Sequence, residues 1–214
     1  MCTTVKNKVG GATRGLSERL QERGSSVNWE DFNYPPLIEI VHYDINDLEE
    51  PGPRAAVLWT HANYLFSFGI LALNIVATLV LAIGGVSGKG VEVLYSFFNI
   101  IIFAILGMYS FYHAYKGLAT QNARLTTKFF IVEAVLLIFR CVCALVGASN
   151  FNGWLNLKRA KDSGKMSDFW VGWTIFESLL WTCAIIICVV TIILVSQVSA
   201  PSSRDATRKA PQDP

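Results

Sequence analysis

Residues 169–195 read FWVGWTIFESLLWTCAIIICVVTIILV, a run of 27 residues in which Glu177 is the one charged side chain. At a rise of 1.5 Å per residue, about 20 such residues in a helix cross a hydrocarbon core of about 30 Å. A buried helix of a soluble bundle would keep a polar face at a period of 3.6 residues. This run is apolar on every side and therefore predicts a transmembrane helix.

Three earlier runs have the same character, at about 58–83, 92–111 and 129–146. Charged residues make up only 16% of the chain, whereas a soluble domain carries about a quarter. The net charge of +2 provides no strong field for nucleic acid, so we expect no nucleic-acid partner. The sequence predicts an all-α, four-helix transmembrane bundle with polar cytosolic tails.

The expected organisation is a four-span transmembrane domain over residues 55–195, flanked by two tails. Residues 1–54 carry six basic and nine acidic side chains and no long hydrophobic period, so we expect a mostly disordered tail. Its end, Asn33-Tyr34-Pro35-Pro36-Leu37, is expected to be extended because two adjacent prolines favour that geometry. Residues 196–214 are expected to form a short basic tail.

Four spans place both termini on one side of the membrane, together with the second connection, residues 112–128. Basic residues near the span ends number seven on that side and five on the other, so the positive-inside rule favours cytosolic termini by a margin of two. The seven are Arg54, Lys116, Arg124, Lys128, Arg204, Arg208 and Lys209, and the five are Lys89, Lys158, Arg159, Lys161 and Lys165.

Six short motifs stand in a fixed order relative to the spans. They are NYPPL at 33–37, IVHYDI at 40–45, LALNI at 71–75, FYHAYK at 111–116, FF at 129–130 and NFNGW at 150–154. Their order and spacing resemble the secretory carrier-associated membrane proteins, the SCAMPs, over about residues 33–195. Three features depart from that family: Met108-Tyr109-Ser110 replaces its Tyr-Arg-Pro, residues 1–54 contain no Asn-Pro-Phe repeat, and its lumenal Cys-Gly-Trp has no cysteine here. The resemblance therefore implies a divergent, short-tailed member without partners that bind Asn-Pro-Phe.

The resemblance implies a vesicle-trafficking protein that acts in post-Golgi and endosomal recycling and in exocytosis through lipids and trafficking proteins. It implies a location in the trans-Golgi, endosomes, recycling vesicles and plasma membrane, with homo- or hetero-oligomers open. We expect no enzyme activity, catalytic residue or cofactor, since no nucleophile–base arrangement or phosphate loop is present. The histidines stand apart without cysteines at ligand spacing, so no metal site is expected. The alternative is a small membrane transporter or channel component.

Aromatic and basic residues meet around the second connection, and they are candidates for membrane-interface contact. Aromatic rings favour the headgroup level, and each nearby cation gains about 1 kcal/mol from an anionic leaflet. The resemblance to the family's cytosolic E peptide implies phosphoinositide contact; the alternative is an ordinary aromatic belt with a basic loop that sets topology. The candidates are Tyr109, Phe111, Tyr112, Tyr115, Lys116, Arg124 and Lys128.

Charged residues within the spans predict an internal polar layer. Glu133 and Arg140 lie seven residues apart and so share one face of span three. Arg140, Glu177 of span four and Asn74 of span one fall at similar depths if counted from the span ends. We expect Arg140 and Glu177 to neutralise each other and Asn74 to add a hydrogen bond, which joins the helices. A proton or ion pathway is the alternative.

Two features of the N-terminal segment leave alternatives open. Tyr34 and Leu37 fit a tyrosine-based sorting signal, which adaptors bind as an extended strand. The competing interpretation is that the Pro-Pro element packs at the membrane surface below span one. Cys2 is a palmitoylation candidate, although it lies far from the first span.

Overall fold

The computed structural model describes residues 27–84, 89–146, 153–155, 157 and 167–208, with side chains described up to 199 and not at 89. Several predicted features lie outside these residues: Cys2 in 1–26, the glycine-rich turn at 85–88, most of the third connection with its basic residues, and the tail from 209.

Four long helices make up most of the described part of the chain, in which β pairing is limited to an isolated bridge, so the predicted all-α fold is confirmed. They are α1 (Pro51–Ile83), α2 (Lys89–Ala119), α3 (Ala123–Leu145) and α4 (Asp168–Arg208). Proline in the first turn of α1 suits a position whose N–H has no helical partner. Asn122 caps α3 by accepting a hydrogen bond from the backbone N–H of Arg124 at 3.0 Å.

Three of the helices are long and apolar enough to cross a membrane, over Pro51–Ile83, Gly90–Ala119 and Asp168–Ser199. The chain is therefore a multi-pass membrane protein. The 23 residues of α3 extend about 35 Å, but they include four charged residues, Arg124, Lys128, Glu133 and Arg140. It completes the bundle by packing between α2 and α4.

Each helix packs against the next, and α4 packs back against α1, so the bundle is a closed ring of antiparallel neighbours. One buried cluster joins the start of α1, the end of α2, the start of α3 and the end of α4, through Val57, Phe111, Phe129 and Val195. We call this the cap end. A second cluster around Trp181 lies nearer the opposite end of the bundle.

The helices run further than the apolar runs predict. The second connection, expected at 112–128, shrinks to residues 120–122, where Gln121 has a φ of 50°. Residues Ala114, Tyr115 and Leu118 are buried at the cap end, so tertiary packing continues α2 beyond the apolar run. At the other end of the chain, α4 continues to Arg208, past the predicted start of the tail at 196.

Residues 27–50, expected to belong to a mostly disordered tail, fold into an ordered segment that we call the aromatic cap. Tyr34 and Val41 form an antiparallel bridge in which each backbone N–H donates to the other's carbonyl at 3.0 Å. A 3₁₀ turn follows at Ile45–Asp47, capped by the side chain of Asp44. Leu48 then joins the cluster at the cap end. The predicted extended segment thus forms one arm of a short hairpin closed by that bridge.

The contact between α2 and α3 depends on Gly117. A Cβ there would lie 2.8 Å from the Thr126 hydroxyl and 3.0 Å from the Thr126 backbone nitrogen. We expect Gly117→Ala to lower the unfolding midpoint in detergent, because overpacking costs about 1–3 kcal/mol and the gain in helix propensity is at most about 1 kcal/mol.

Gly69→Ala is the matched control, because nothing lies within 4 Å of a Cβ at Gly69. This variant should unfold at or slightly above the wild-type midpoint. Equal midpoints for the two variants would contradict the close approach of α2 and α3.

Candidate functional site

The carboxylate of Glu133 lies at the centre of the bundle and is bonded by all four helices. It accepts hydrogen bonds from Asn63 Nδ2 of α1 at 2.7 Å and from Ser110 Oγ of α2 at 2.6 Å. It also accepts from Arg140 Nη1 of α3 at 2.9 Å and from Cys188 Sγ of α4 at 3.3 Å. Together with Ser67, described next, these residues form what we call the axial network.

Arg140 is buried beside Glu133 and is held in place by further contacts. Its Nε donates to Ser67 Oγ of α1 at 3.1 Å, and its Nη1 lies 3.4 Å from Cys188 Sγ. The guanidinium carbon lies 5.5 Å from the centre of the Phe103 ring, within range of a cation–π interaction. A buried ion pair is tolerated where hydrogen bonds satisfy both partners, as they do here.

A second polar cluster, the distal network, lies further from the cap end. Asn74 Nδ2 donates to Glu177 Oε1 at 2.9 Å, which joins α1 to α4. Ser96 Oγ of α2 donates to Asn74 Oδ1 at 2.9 Å, and Thr78 Oγ1 lies 3.4 Å from Ser96 Oγ. The predicted polar residues are all buried inside the bundle, but they belong to two networks instead of one layer.

The pairing of Arg140 also differs from the expected one, because its ion pair in the described structure is with Glu133 and not with Glu177. Side chains on a helix lean toward its N-terminus. Since α3 and α4 are antiparallel, Arg140 leans toward the cap end and Glu177 leans away from it. Similar depths of the two Cα atoms therefore do not bring the charged groups together.

At the cap end, His42 and Asp47 attach the aromatic cap to α2. His42 Nε2 lies 2.9 Å from Asp47 Oδ2, and His42 Nδ1 lies 3.0 Å from the carbonyl oxygen of Asp31. The Tyr115 hydroxyl donates to the Asp47 carboxylate and lies 3.2 Å from the backbone N–H of Asp44. These bonds hold the turn at residues 44–47 on the last turns of α2.

Tyr34 attaches the other part of the cap to α1. Its hydroxyl lies 2.8 Å from His61 Nε2, and its ring packs edge-on against Tyr43, His61 and Phe111 at centroid distances of 5.3–5.8 Å. Burial, with smaller effects of Tyr64 and Tyr43, raises the pKa of Tyr34 to about 12, so this phenol stays protonated near neutral pH. The hydroxyl is therefore available to donate to the imidazole of His61.

The membrane-interface candidates divide into three groups by exposure. Phe111 and Tyr115 are 0% exposed, so their place among the candidates is wrong: they hold the cap and do not face lipid. Tyr112 and Lys116 are half-buried, and Lys116 Nζ lies 4.6 Å from the centre of the Trp29 ring. The remaining candidates are exposed, namely Tyr109, Arg124 and Lys128.

The two residues of the sorting-signal candidate also differ in their exposure. Leu37 is 97% exposed, whereas Tyr34 is half-buried and bonded to His61. An adaptor that binds this motif as an extended strand would have to unfold the hairpin first. The folded cap thus favours the alternative, in which the Pro-Pro element packs at the membrane surface.

The sequence analysis did not predict most of the hydrogen-bond partners in the polar networks of the bundle or in the contacts of the aromatic cap. Along α1, Asn63, Ser67 and Asn74 recur at spacings of four and seven, which marks one polar stripe on an apolar helix and was a readable signal. The cap contacts join residues far apart in the chain and left no local pattern. Within the described ranges no three His, Cys, Asp or Glu residues are grouped so that they could hold a metal ion.

Comparison with known proteins gives one match. A family model described as the SCAMP family matches residues 31–201, which include most of the cap, all of α1, α2 and α3, and α4 as far as residue 201. No curated protein and no solved structure matches the chain.

The ion pair within the axial network predicts that the chain misfolds when Arg140 is replaced by an apolar residue. Arg140→Met leaves the buried carboxylate of Glu133 without its counterion, at a cost of about 3–5 kcal/mol. We expect this variant to be retained early in the secretory route and to lose a monodisperse peak in size-exclusion chromatography.

Adding Glu133→Gln to Arg140→Met removes the unpaired charge and should partly restore surface export and the chromatographic peak. The matched double variant Arg140→Met with Glu177→Gln should not recover. Recovery with Glu177→Gln instead would show that Arg140 depends on Glu177.

Proposed function

Since the chain belongs to the SCAMP family, a family of membrane-trafficking proteins, we propose that it acts in post-Golgi and endosomal recycling and in exocytosis. The observation that carries the proposal is the family match over residues 31–201, which covers most of the aromatic cap and nearly all of the bundle. Its role would be to organise lipids and to recruit trafficking proteins, as a homo- or hetero-oligomer, without catalysing a reaction itself.

The location of the exposed polar groups supports this role. In the described part of the chain, the charges inside the bundle are bonded by partners on the same helix and on neighbouring helices. Exposed cations remain at the cap end, where Arg124 and Lys128 lie on the first turns of α3. Contacts with other molecules are therefore proposed at the cap end.

Anionic lipids, including phosphoinositides, are the proposed ligands of these cations. Glu133 of α3 bonds to Ser110, which lies 20 residues after Gly90 and about 30 Å along α2. Lys128 and Arg124 precede Glu133 by five and nine residues, so they lie about 8 Å and 14 Å further toward the cap end. For a hydrocarbon core of about 30 Å counted from the turn between α1 and α2, both cations lie on the headgroup side of its boundary, where a cation gains about 1 kcal/mol from an anionic leaflet.

A transporter or channel component is the alternative raised by the buried charges. A pathway through a bundle usually needs broken helices and a series of unsatisfied polar groups. No proline occurs between Pro53 and Pro201. Glu133 and Arg140 form an ion pair with each other inside the bundle. Solute or proton flux into proteoliposomes above that of protein-free vesicles would favour the alternative.

The trafficking proposal is tested by localising the tagged chain in cells. We expect it in trans-Golgi, endosomal and plasma-membrane compartments, with Arg140→Met as a misfolded control retained in the endoplasmic reticulum. Tags at both termini should be accessible to antibody after selective permeabilisation of the plasma membrane, since the proposed topology has cytosolic termini. A well-folded chain confined to mitochondria or the endoplasmic reticulum would contradict the proposal.

The lipid contact is tested by charge reversal in nanodiscs that contain a labelled phosphoinositide. Arg124→Glu with Lys128→Glu should lower the energy transfer between a labelled terminus and the lipid, because repulsion replaces attraction. The matched control is Lys158→Glu with Arg159→Glu, two reversals in the connection predicted on the opposite side. Equal losses in both variants, or no loss in either, would rule out a specific contact at the cap end.

A further inference from the structure

We propose that α2 pairs with α2 of a second copy of the chain within the bilayer, and that the amide of Asn99 joins the two helices. The partner is thus a parallel transmembrane helix with an amide at the same depth. This inference rests on the oligomer named in the proposed function and specifies its partner and its surface. The contact lies inside the membrane, in addition to those proposed at the cap end.

The first observation is that the amide of Asn99 is left unsatisfied by the bundle. Asn63 and Asn74, the asparagines of α1, bond to Glu133 and Glu177. Within the described residues, by contrast, the side chain of Asn99 makes no hydrogen bond, although it is half-buried. An amide surrounded by hydrocarbon costs free energy unless a hydrogen-bond partner is present. Asn99 therefore calls for a partner from outside the chain.

The depth of Asn99 restricts what that partner can be. Asn99 lies nine residues after Gly90, about 14 Å along α2. For a hydrocarbon core of about 30 Å counted from the turn between α1 and α2, this is near the middle of the bilayer, where water is absent. Lysine and tyrosine can extend a polar end to the headgroups, but the side chain of asparagine is too short to do so. A polar group on another transmembrane helix is the partner that remains.

A stripe of regularly spaced residues extends along α2 on both sides of Asn99. Its members alternate at spacings of three and four and are all half-buried or exposed. We call this stripe the α2 seam, and it consists of Glu92, Tyr95, Asn99, Ile102, Leu106, Tyr109 and His113. The spacing is that of the contact positions of a coiled coil, in which a single asparagine fixes the register of two parallel helices.

The other exposed side of α2 carries no polar side chain. It has the same spacing, and its members are Val91, Leu94, Phe98, Ile101 and Ile105, all of them more than half exposed. Lipid tails are as apolar as leucine, so lipid alone suits that side. The polar groups on the exposed surface of this part of α2 are thus confined to the α2 seam, as expected if the seam contacts protein and the other side contacts lipid.

The chemistry of the amide favours a second copy of the chain as the occupant. An amide carries both donors and an acceptor, so two Asn99 side chains can exchange hydrogen bonds across a twofold axis. Copies of one membrane protein insert with the same orientation, so two α2 helices that meet along their seams run parallel. Their amides then lie at the same depth without any adjustment of the helices.

The surface is tested by photocrosslinking at two adjacent positions of the full chain, reconstituted in phosphatidylcholine liposomes at a low ratio of protein to lipid. Ile102 lies on the α2 seam and is 55% exposed, whereas Ile101 lies outside it and is 53% exposed. The two positions are therefore matched in residue type, depth and exposure. A photoreactive phenylalanine analogue at position 102 should join two copies several-fold more often than at position 101, where lipid adducts should dominate.

The role of the amide is tested by Asn99→Leu in the chain that carries the analogue at position 102. Leucine keeps the size of the side chain but cannot form the hydrogen bonds, so the yield of joined copies should fall about tenfold. Asn99→Gln retains a donor and an acceptor and should keep most of that yield. Since Asn99 bonds to no described residue, the unfolding midpoint of Asn99→Leu should equal or exceed that of the wild type.

Several outcomes would overturn the proposal. They are equal joining of copies at positions 101 and 102, lipid adducts alone at position 102, and an unchanged yield in Asn99→Leu. A lower unfolding midpoint of Asn99→Leu would assign the amide to the bundle, and crosslinks in cell membranes to a different protein in place of a second copy would assign the seam to another partner. The localisation of the tagged chain is scored separately, so failure of this pairing and failure of the trafficking role are distinguishable.

Discussion

The carboxylate of Glu133 is the group on which the bundle depends. Lipid tails are as apolar as leucine, so the hydrophobic effect does little to bring transmembrane helices together. A buried charge, by contrast, is costly unless a counterion and hydrogen-bond donors surround it. Because Glu133 takes its counterion from Arg140 and donors from Asn63, Ser110 and Cys188, only a closed ring of all four helices satisfies it.

The hydropathy pattern predicted the number and order of the helices because a helix that crosses lipid needs about 20 mostly apolar residues in one run, which is a local property. The spacing of Glu133 and Arg140 also predicted that they share one face of α3. Their pairing could not be predicted from residue counting, because counting gives the height of a Cα atom and not the direction of the side chain. In antiparallel helices those directions diverge, which separates Arg140 from Glu177.

The aromatic cap could not be read from the sequence for a different reason. Its contacts join residues far apart in the chain, such as Tyr34 with His61 at a separation of 27 and Asp47 with Tyr115 at a separation of 68. A segment with few aliphatic residues and many charges has the composition of a disordered tail. Here aromatic rings supply the buried area instead, and they do so only on a surface that α1 and α2 build together.

The cap and the axial network are attached to the same turns of the same helices. On α1, His61 bonds to the cap and Asn63, two residues later, bonds to Glu133. On α2, Ser110 bonds to Glu133 and Phe111, the next residue, packs on the cap. A rotation of either helix that released the cap would therefore also pull a donor away from the buried carboxylate. Since an unsatisfied buried carboxylate is costly, the network resists that rotation and keeps the cap at a fixed height on the bundle.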